Sequence, residues 1–203
     1  MDIESLKHRA LEISYNHKLS HIGSVLCALP ILYEIYNQKK EGDKVVVSSG
    51  HAHLAHLVVK EVEGTLSEGA EILLERFGIH CDRRAGCDVS TGSLGQGIAI
   101  AAGMALADRS RNTFCLVSDG ELAEGSCWEA LRIAKEQKLD NLKVYLNANG
   151  MGAMGTIDTD DLEKRIKAFG FPVEIRRTDA GLGSWAQGLA QHYKQADGEL
   201  LKI

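Results

Sequence analysis

Residues 116–151, LVSDGELAEGSCWEALRIAKEQKLDNLKVYLNANGM, constrain the fold more than any other stretch of this chain. The apolar run Thr113–Val117 leads into it and reads as a short buried strand. Ser118, Asp119 and Gly120 break that strand. A helix is expected from about Ala123 to Gln137, with Cys127, Ala130, Leu131 and Ala134 on one side and Glu129, Arg132 and Glu136 opposite. Asp140 and Asn141 form a turn, Leu142–Leu146 is a second strand, and the chain leaves it through Asn147–Met151. Parallel strands joined by a helix bring both strand ends to one edge of the sheet, with a right-handed crossover. Asp119 and Asn149 are therefore expected side by side at the carboxyl edge, where open α/β sheets bind ligands.

The remainder of the chain extends this unit into an α/β fold with a mainly parallel sheet flanked by helices. Helices are expected over Asp2–Asn16, Val25–Gln38, Ala52–Glu63, Ser67–Arg76, Ile98–Ala107, Leu162–Phe169 and Ser184–Gln195. Strands are expected over Lys44–Val47, Pro172–Arg176 and Leu200–Ile203. Pro30 either kinks the second helix or marks its true first turn. No linker divides the 203 residues, so residues 1–203 read as one domain. A net charge of −5 without a basic run argues against a nucleic-acid surface. No apolar stretch approaches the roughly 20 residues that span a bilayer. The first residues lack a signal-peptide pattern. Five cysteines are an odd number without zinc-type pairing, which points to a reducing cytoplasm.

Three hard oxygen ligands can be read from the central unit: the Asp119 carboxylate, the Asn149 amide and a backbone carbonyl just beyond it. Mg²⁺ suits such a set, completed by phosphate oxygens. Gly120 would let a phosphate approach the backbone. An Asp-Gly pair between strand and helix also serves as an ordinary turn and N-cap. The Gly92–Gly97 loop before a helix offers either a second anion contact or tight helix packing. Its glycine order is not that of the dinucleotide fingerprint. His21, His51 and His80 lie in loops that could feed the same sheet edge.

Several ordered motifs carry a resemblance. The segment from Asp119 to Asn149 is similar to the thiamine diphosphate motif of transketolases. HIGS (21–24), DKVVVSSGH (43–51), STGSLGQG (90–97) and DLEKRIKAFG (161–170) match that family in order. The resemblance implies a thiamine diphosphate-binding fold of the diphosphate (PP) type. It implies that Asp119, Asn149 and the Met151 carbonyl bind Mg²⁺, or Ca²⁺ or Mn²⁺ in its place. Gly120 and Gly92 would approach the diphosphate and pyrimidine, Leu94 would line the ring, and His51 would contact the cofactor. His21, His51 and His80 would be the catalytic histidines, although the 78–92 loop is about one residue shorter than the usual pattern. Glu124 and Glu129 match acids that meet across a subunit interface, so self-association through this domain is implied.

The activity implied is ketol transfer, in which a two-carbon unit passes from a ketose or ketose phosphate to an aldose. The family also needs a pyrimidine-binding domain and a C-terminal domain, and residues 1–203 have no room for either. The expectation is a split enzyme: a heterotetramer in which a diphosphate-binding subunit works with a separate pyrimidine-binding subunit. The short tail ends before a further family histidine. Ser118 replaces the first glycine of the usual Gly-Asp-Gly and should fit if its φ stays negative. The alternatives are a carboligase of the deoxyxylulose-phosphate synthase kind and a non-catalytic scaffold that binds cofactor or partner.

Overall fold

The computed structural model of the chain describes residues 2–202. Asp2 caps the first helix, α1 (Ile3–Asn16), by accepting the Ser5 N–H at 2.9 Å. Next comes α2 (Ile22–Gln38), almost wholly buried, with Pro30 as an interior residue of a continuous helix. Strand β1 (Lys44–Val47) ends in a 3₁₀ turn, Gly50–Ala52, that runs into α3 (His53–Val62). Then follow α4 (Ala70–Phe77), a loop with a 3₁₀ turn at Arg83–Ala85, and α5 (Gln96–Ala107). The central unit is β2 (Thr113–Ser118), a 3₁₀ turn Gly120–Ala123, α6 (Gly125–Glu136) and β3 (Leu142–Ala148). A two-residue-per-strand hairpin, β4 (Met151–Gly152) with β5 (Gly155–Thr156), precedes α7 (Thr159–Phe169) and β6 (Val173–Arg177). The tail contains only α8 (Ala190–Tyr193) and a final 3₁₀ turn, Leu200–Lys202.

The main sheet is wholly parallel in the order β1-β2-β3-β6. Strand alternation sorts its side chains between two helical layers. Val45, Val47, Phe114, Leu116 and Tyr145 face the core shared with α1 to α4. Val46, Cys115, Val117, Val144 and Leu146 face the core under α5, α6 and α7. Continuous apolar strands are what a sheet covered on both faces requires.

Two expectations for the tail fail. The helix over Ser184–Gln195 shrinks to Ala190–Tyr193, because Gly188 takes a left-handed backbone angle that breaks the run. Leu200–Lys202 is a helical turn rather than a strand, and Ile203 lies outside the described residues. Leu200 is fully buried in the α1–α4 core instead of extending the sheet. The fourth helix starts at Ala70 rather than Ser67, and α7 starts three residues early because Asp158 caps it.

Candidate active site at the carboxyl edge

Ser118 at the end of β2 pairs with Asn147 of β3, so the loops leaving both strands emerge together. Asp119 follows and is 2% exposed. Its carboxylate accepts the Gly150 N–H at 2.6 Å and the Gly120 N–H at 2.9 Å. Burial pushes its carboxyl up to about 6, against the pull of those backbone donors. Asn149 Oδ1 accepts the Met151 N–H at 2.9 Å, which folds the loop back on itself. The Met151 carbonyl lies 3.5 Å from where a side chain on Gly120 would begin. A buried carboxylate held by backbone donors, an amide oxygen with a lone pair to spare and a carbonyl thus converge. That donor set suits a hard divalent cation with oxygen ligands. Ser118 keeps a negative φ, and its hydroxyl receives the Glu121 N–H at 3.4 Å.

The structure brings the three expected histidines to the same cleft, of about 230 Å³, together with Gly92, Leu94, Gly120, Asn149 and Met151. His21 caps α2 with φ 62°, a left-handed conformation uncommon for a non-glycine residue. Its backbone N–H bonds to the His192 carbonyl at 2.8 Å, and its ring lies 5.2 Å from that of His51. Burial, aided by His21, His192 and His80, lowers His51 to about 3. Burial also lowers His21, with His192 and His80 adding to the effect. These are neutral imidazoles at pH 7, each able to give or take a proton. The shorter loop still carries His80 to the cleft, where its ring packs 3.3 Å from the Cβ direction of Gly92.

Two glycines are needed here for backbone reasons. A methyl group at Gly50 would sit 2.5 Å from the Thr91 carbonyl oxygen, so only glycine lets the His51 turn lie against the Gly92 loop. Gly95 has φ 77° and opens α5. Its N–H donates to Glu121 Oε1 at 3.0 Å, and Ser48 donates to the same oxygen at 2.7 Å. The Ser118 N–H reaches Oε2 at 3.1 Å. Glu121, fully buried and pushed upward in pKa by that burial, ties β1, β2 and the glycine-rich loop together.

Sequence reasoning missed Glu121, which falls between the Ser118–Gly120 break and the expected helix. It also missed Ser24, Ser49, Asn147, His192 and Tyr193, which line the cleft. His192 stands 6.0 Å from His21 ring to ring, and Ser24 Oγ is 3.2 Å from its Nδ1. Tyr193 donates to the Ala153 carbonyl at 3.2 Å. No local pattern marks a histidine in a four-residue helix as a cleft residue. Glu124 and Glu129 lie on the exposed side of α6, away from the cleft's interior. Glu129 pairs with Arg132 at 2.5 Å, and the Glu124 side chain packs beside Gly95.

Known proteins resemble both this fold and this sequence. The chain is 32% identical over 193 residues to one subunit of the apulose-4-phosphate transketolase from Phocaeicola vulgatus, covering 84% of this chain and 69% of that one. It is 33% identical over 180 residues to a 6-deoxy-6-sulfo-D-fructose transketolase subunit from a Clostridium species, covering 77% of this chain and 66% of that one. Mouse transketolase-like protein 2 is 39% identical over 147 residues, and there the match spans only 23% of the longer protein. A transketolase variant from Pichia stipitis superposes with a TM-score of 0.78 at 22% identity, over 98% of this chain and 39% of that one. Among the described residues, no helix is long and apolar enough to cross a membrane. The transketolase, thiamine diphosphate binding domain family matches residues 9–197, and the chain belongs to it.

Proposed function

We propose that this chain is the diphosphate-binding half of a transketolase-type transferase, completed by a separate pyrimidine-binding subunit in a heterotetramer. It would move a two-carbon ketol unit from a ketose or ketose phosphate to an aldose. One observation carries the reading. The buried Asp119 carboxylate is held by the N–H groups of Gly120 and Gly150, directly behind Gly120, Asn149 and Met151, which line the cleft that holds three histidines. The two relatives whose names describe transketolase subunits, each matched over much of its own length, support the split arrangement.

Asp119, Asn149 Oδ1 and the Met151 carbonyl would hold Mg²⁺, with Ca²⁺ or Mn²⁺ as substitutes. Gly120 and Gly92 would leave room for the diphosphate and pyrimidine of thiamine diphosphate, and Leu94 would press on the ring. When bound, that group supplies a nucleophilic carbon and an electron sink for breaking the bond beside a ketose carbonyl. The ring N–H groups of His51 and His21 would donate to the substrate's carbonyl oxygen as it gains negative charge. Both rings are neutral, so each could then pass a proton or take one back; His80 would share this role. The walls formed by α8 and the glycine-rich loop would keep water from that oxygen.

Self-association would use the face that carries Glu124 and Glu129. The outer side of α5, with Ala99, Gly103 and Leu106 exposed, lies next to it and is apolar. The five buried thiols suit a reducing cytoplasm as the place of action. The decisive experiment co-purifies the chain with a candidate pyrimidine-binding partner and assays ketol transfer. Activity should require both chains, and full activity from this chain alone would overturn the split assignment. Calorimetry with thiamine diphosphate and Mg²⁺ should show binding that Asp119→Ala abolishes; unchanged affinity in that variant would count against the cradle.

A further inference from the structure

Away from the cleft, three metal-ligating side chains, His56, Cys81 and Cys87, meet between α3 and the loop that carries His80, and His53 stands beside Cys87 outside that set. His53 and His56 are three residues apart on α3 and so share a face. They are 0% and 1% exposed, while Cys81 and Cys87 are 4% and 6% exposed. One ligand atom from each of His56, Cys81 and Cys87 lies within 4.8 Å of the others. Cys87 Sγ stands 3.6 Å from His56 Nδ1. Tetrahedral Zn²⁺, with bonds of about 2.3 Å to sulfur and about 2.0 Å to nitrogen, holds a sulfur and a nitrogen about 3.5 Å apart. The two atoms already stand at that spacing.

The outward nitrogen of each imidazole is engaged. His56 Nε2 lies 2.8 Å from the Tyr36 hydroxyl. His53 Nδ1 lies 3.1 Å from the Gly78 carbonyl oxygen. A carbonyl can only accept, so Nδ1 of His53 carries the hydrogen and Nε2 presents a lone pair. That Nε2 is buried and has no hydrogen-bond partner, and its ring faces Cys87. An unpartnered polar atom in a core is unfavourable unless something completes it. A carbonyl or hydroxyl on the far nitrogen is the usual means of aiming a histidine at a metal.

We propose that His53, His56, Cys81 and Cys87 form a structural Zn²⁺ site of the Cys₂His₂ type. Four protein ligands leave no open coordination position, which is the mark of a structural rather than catalytic zinc. On binding, the thiols release their protons to solvent and the metal keeps its charge, so no oxidant or reductant is required. Two imidazoles aimed at the sulfurs would have no function beside a simple disulfide. The absence of a recognisable cysteine spacing in the sequence is explained, because the ligands pair a helix face with a loop. Cys81 follows His80, its N–H donates to the Gly50 carbonyl at 3.3 Å, and its carbonyl receives the Thr91 N–H at 3.1 Å. The metal would therefore staple the 78–92 loop to α3 and position His80 beside His51.

The test measures metal content and metal spectra, independently of activity. The full chain, purified under reducing conditions and dialysed against Mg²⁺ buffer, should retain about one zinc per chain by elemental mass spectrometry. Replacing zinc with Co²⁺ should give thiolate-to-cobalt charge-transfer absorption and the strong visible bands of a tetrahedral centre. Cys81→Ser and Cys87→Ser should lose both signals. Should these variants fail to fold, His53→Gln and chelator-stripped wild-type chain reloaded with Co²⁺ give the same readout. Asp119→Ala should keep its zinc. Zinc lost in Asp119→Ala but kept in Cys81→Ser would place the metal in the cleft and overturn the assignment. So would wild-type chain without zinc or a cobalt spectrum, or a mass two hydrogens low across Cys81 and Cys87 that marks a disulfide.

Discussion

Asp119 lies buried between the cleft residues Ser118 and Gly120, and His51 lines the same cleft, yet their burial acts on stability in opposite directions. Asp119 titrates near 6 when folded and near its ordinary 3.8 when unfolded, so the folded chain holds the proton more tightly. Stability from this group is complete below about pH 4 and lost as pH rises through 6, a change of at most about 3 kcal/mol without a cation. Asp119→Asn should remove that loss, measured as a urea midpoint that rises more steeply with pH between 4 and 6 than in the unaltered chain, in the absence of Mg²⁺. His51 is lowered from 6.5 to about 3, so the unfolded chain binds the extra proton in that window. Its effect is to raise stability as pH rises from 3 to 6.5, and His51→Gln should weaken the acid-side drop in the same measurement. His21, His51, Asp119 and Asn149 were all legible in the sequence, because motif order and strand ends put them on one edge. Their protonation was not, since it depends on which rings become neighbours and how much water the fold removes.

At the scale of elements, the site depends on three segments that arrive from distant parts of the chain. Glu121 joins the end of β1, the end of β2 and the glycine-rich loop through Ser48, Ser118 and Gly95. Glu121→Ala would leave buried donors without acceptors, and each such donor costs about 1–3 kcal/mol. A loss of roughly 3 kcal/mol or more in urea unfolding is expected, with Glu121→Gln retaining part of it. A loss under about 0.5 kcal/mol, the range of an inert surface change, would show that the junction does not depend on it. Gly50→Ala tests the close approach directly. A methyl group 2.5 Å from the Thr91 oxygen must push the Gly92 loop away, and overpacking of this kind costs about 1–3 kcal/mol. The same variant should weaken thiamine diphosphate binding in calorimetry, because Gly92 moves with the loop. The β2–α6–β3 unit was legible as period and punctuation, whereas these ties were not. They join residues 26 and 73 positions apart, and no local pattern spans such distances.

At the scale of the whole molecule, two helical layers close both faces of the sheet but leave the outer side of α5 apolar and uncovered. Leu106→Glu should lower self-association in analytical ultracentrifugation while changing monomer stability by no more than about 0.5 kcal/mol, as for an exposed position. Unaltered association would move the interface elsewhere. The amino-acid sequence by itself determined the alternation of strands and helices, the edge at which ligands gather and the motif residues of that edge. The first two follow from hydrophobic period, turn residues and connection handedness, which act over a few residues or one crossover, and the motif residues from their ordered resemblance to the transketolase motifs. Only the tertiary structure decided how the tail folds, bringing His192 and Tyr193 to the cleft and burying Leu200. It alone decided that Cys81 and Cys87 meet His56 of α3. Contacts of that kind are set by how the layers pack, and packing is a property of the whole chain rather than of any segment.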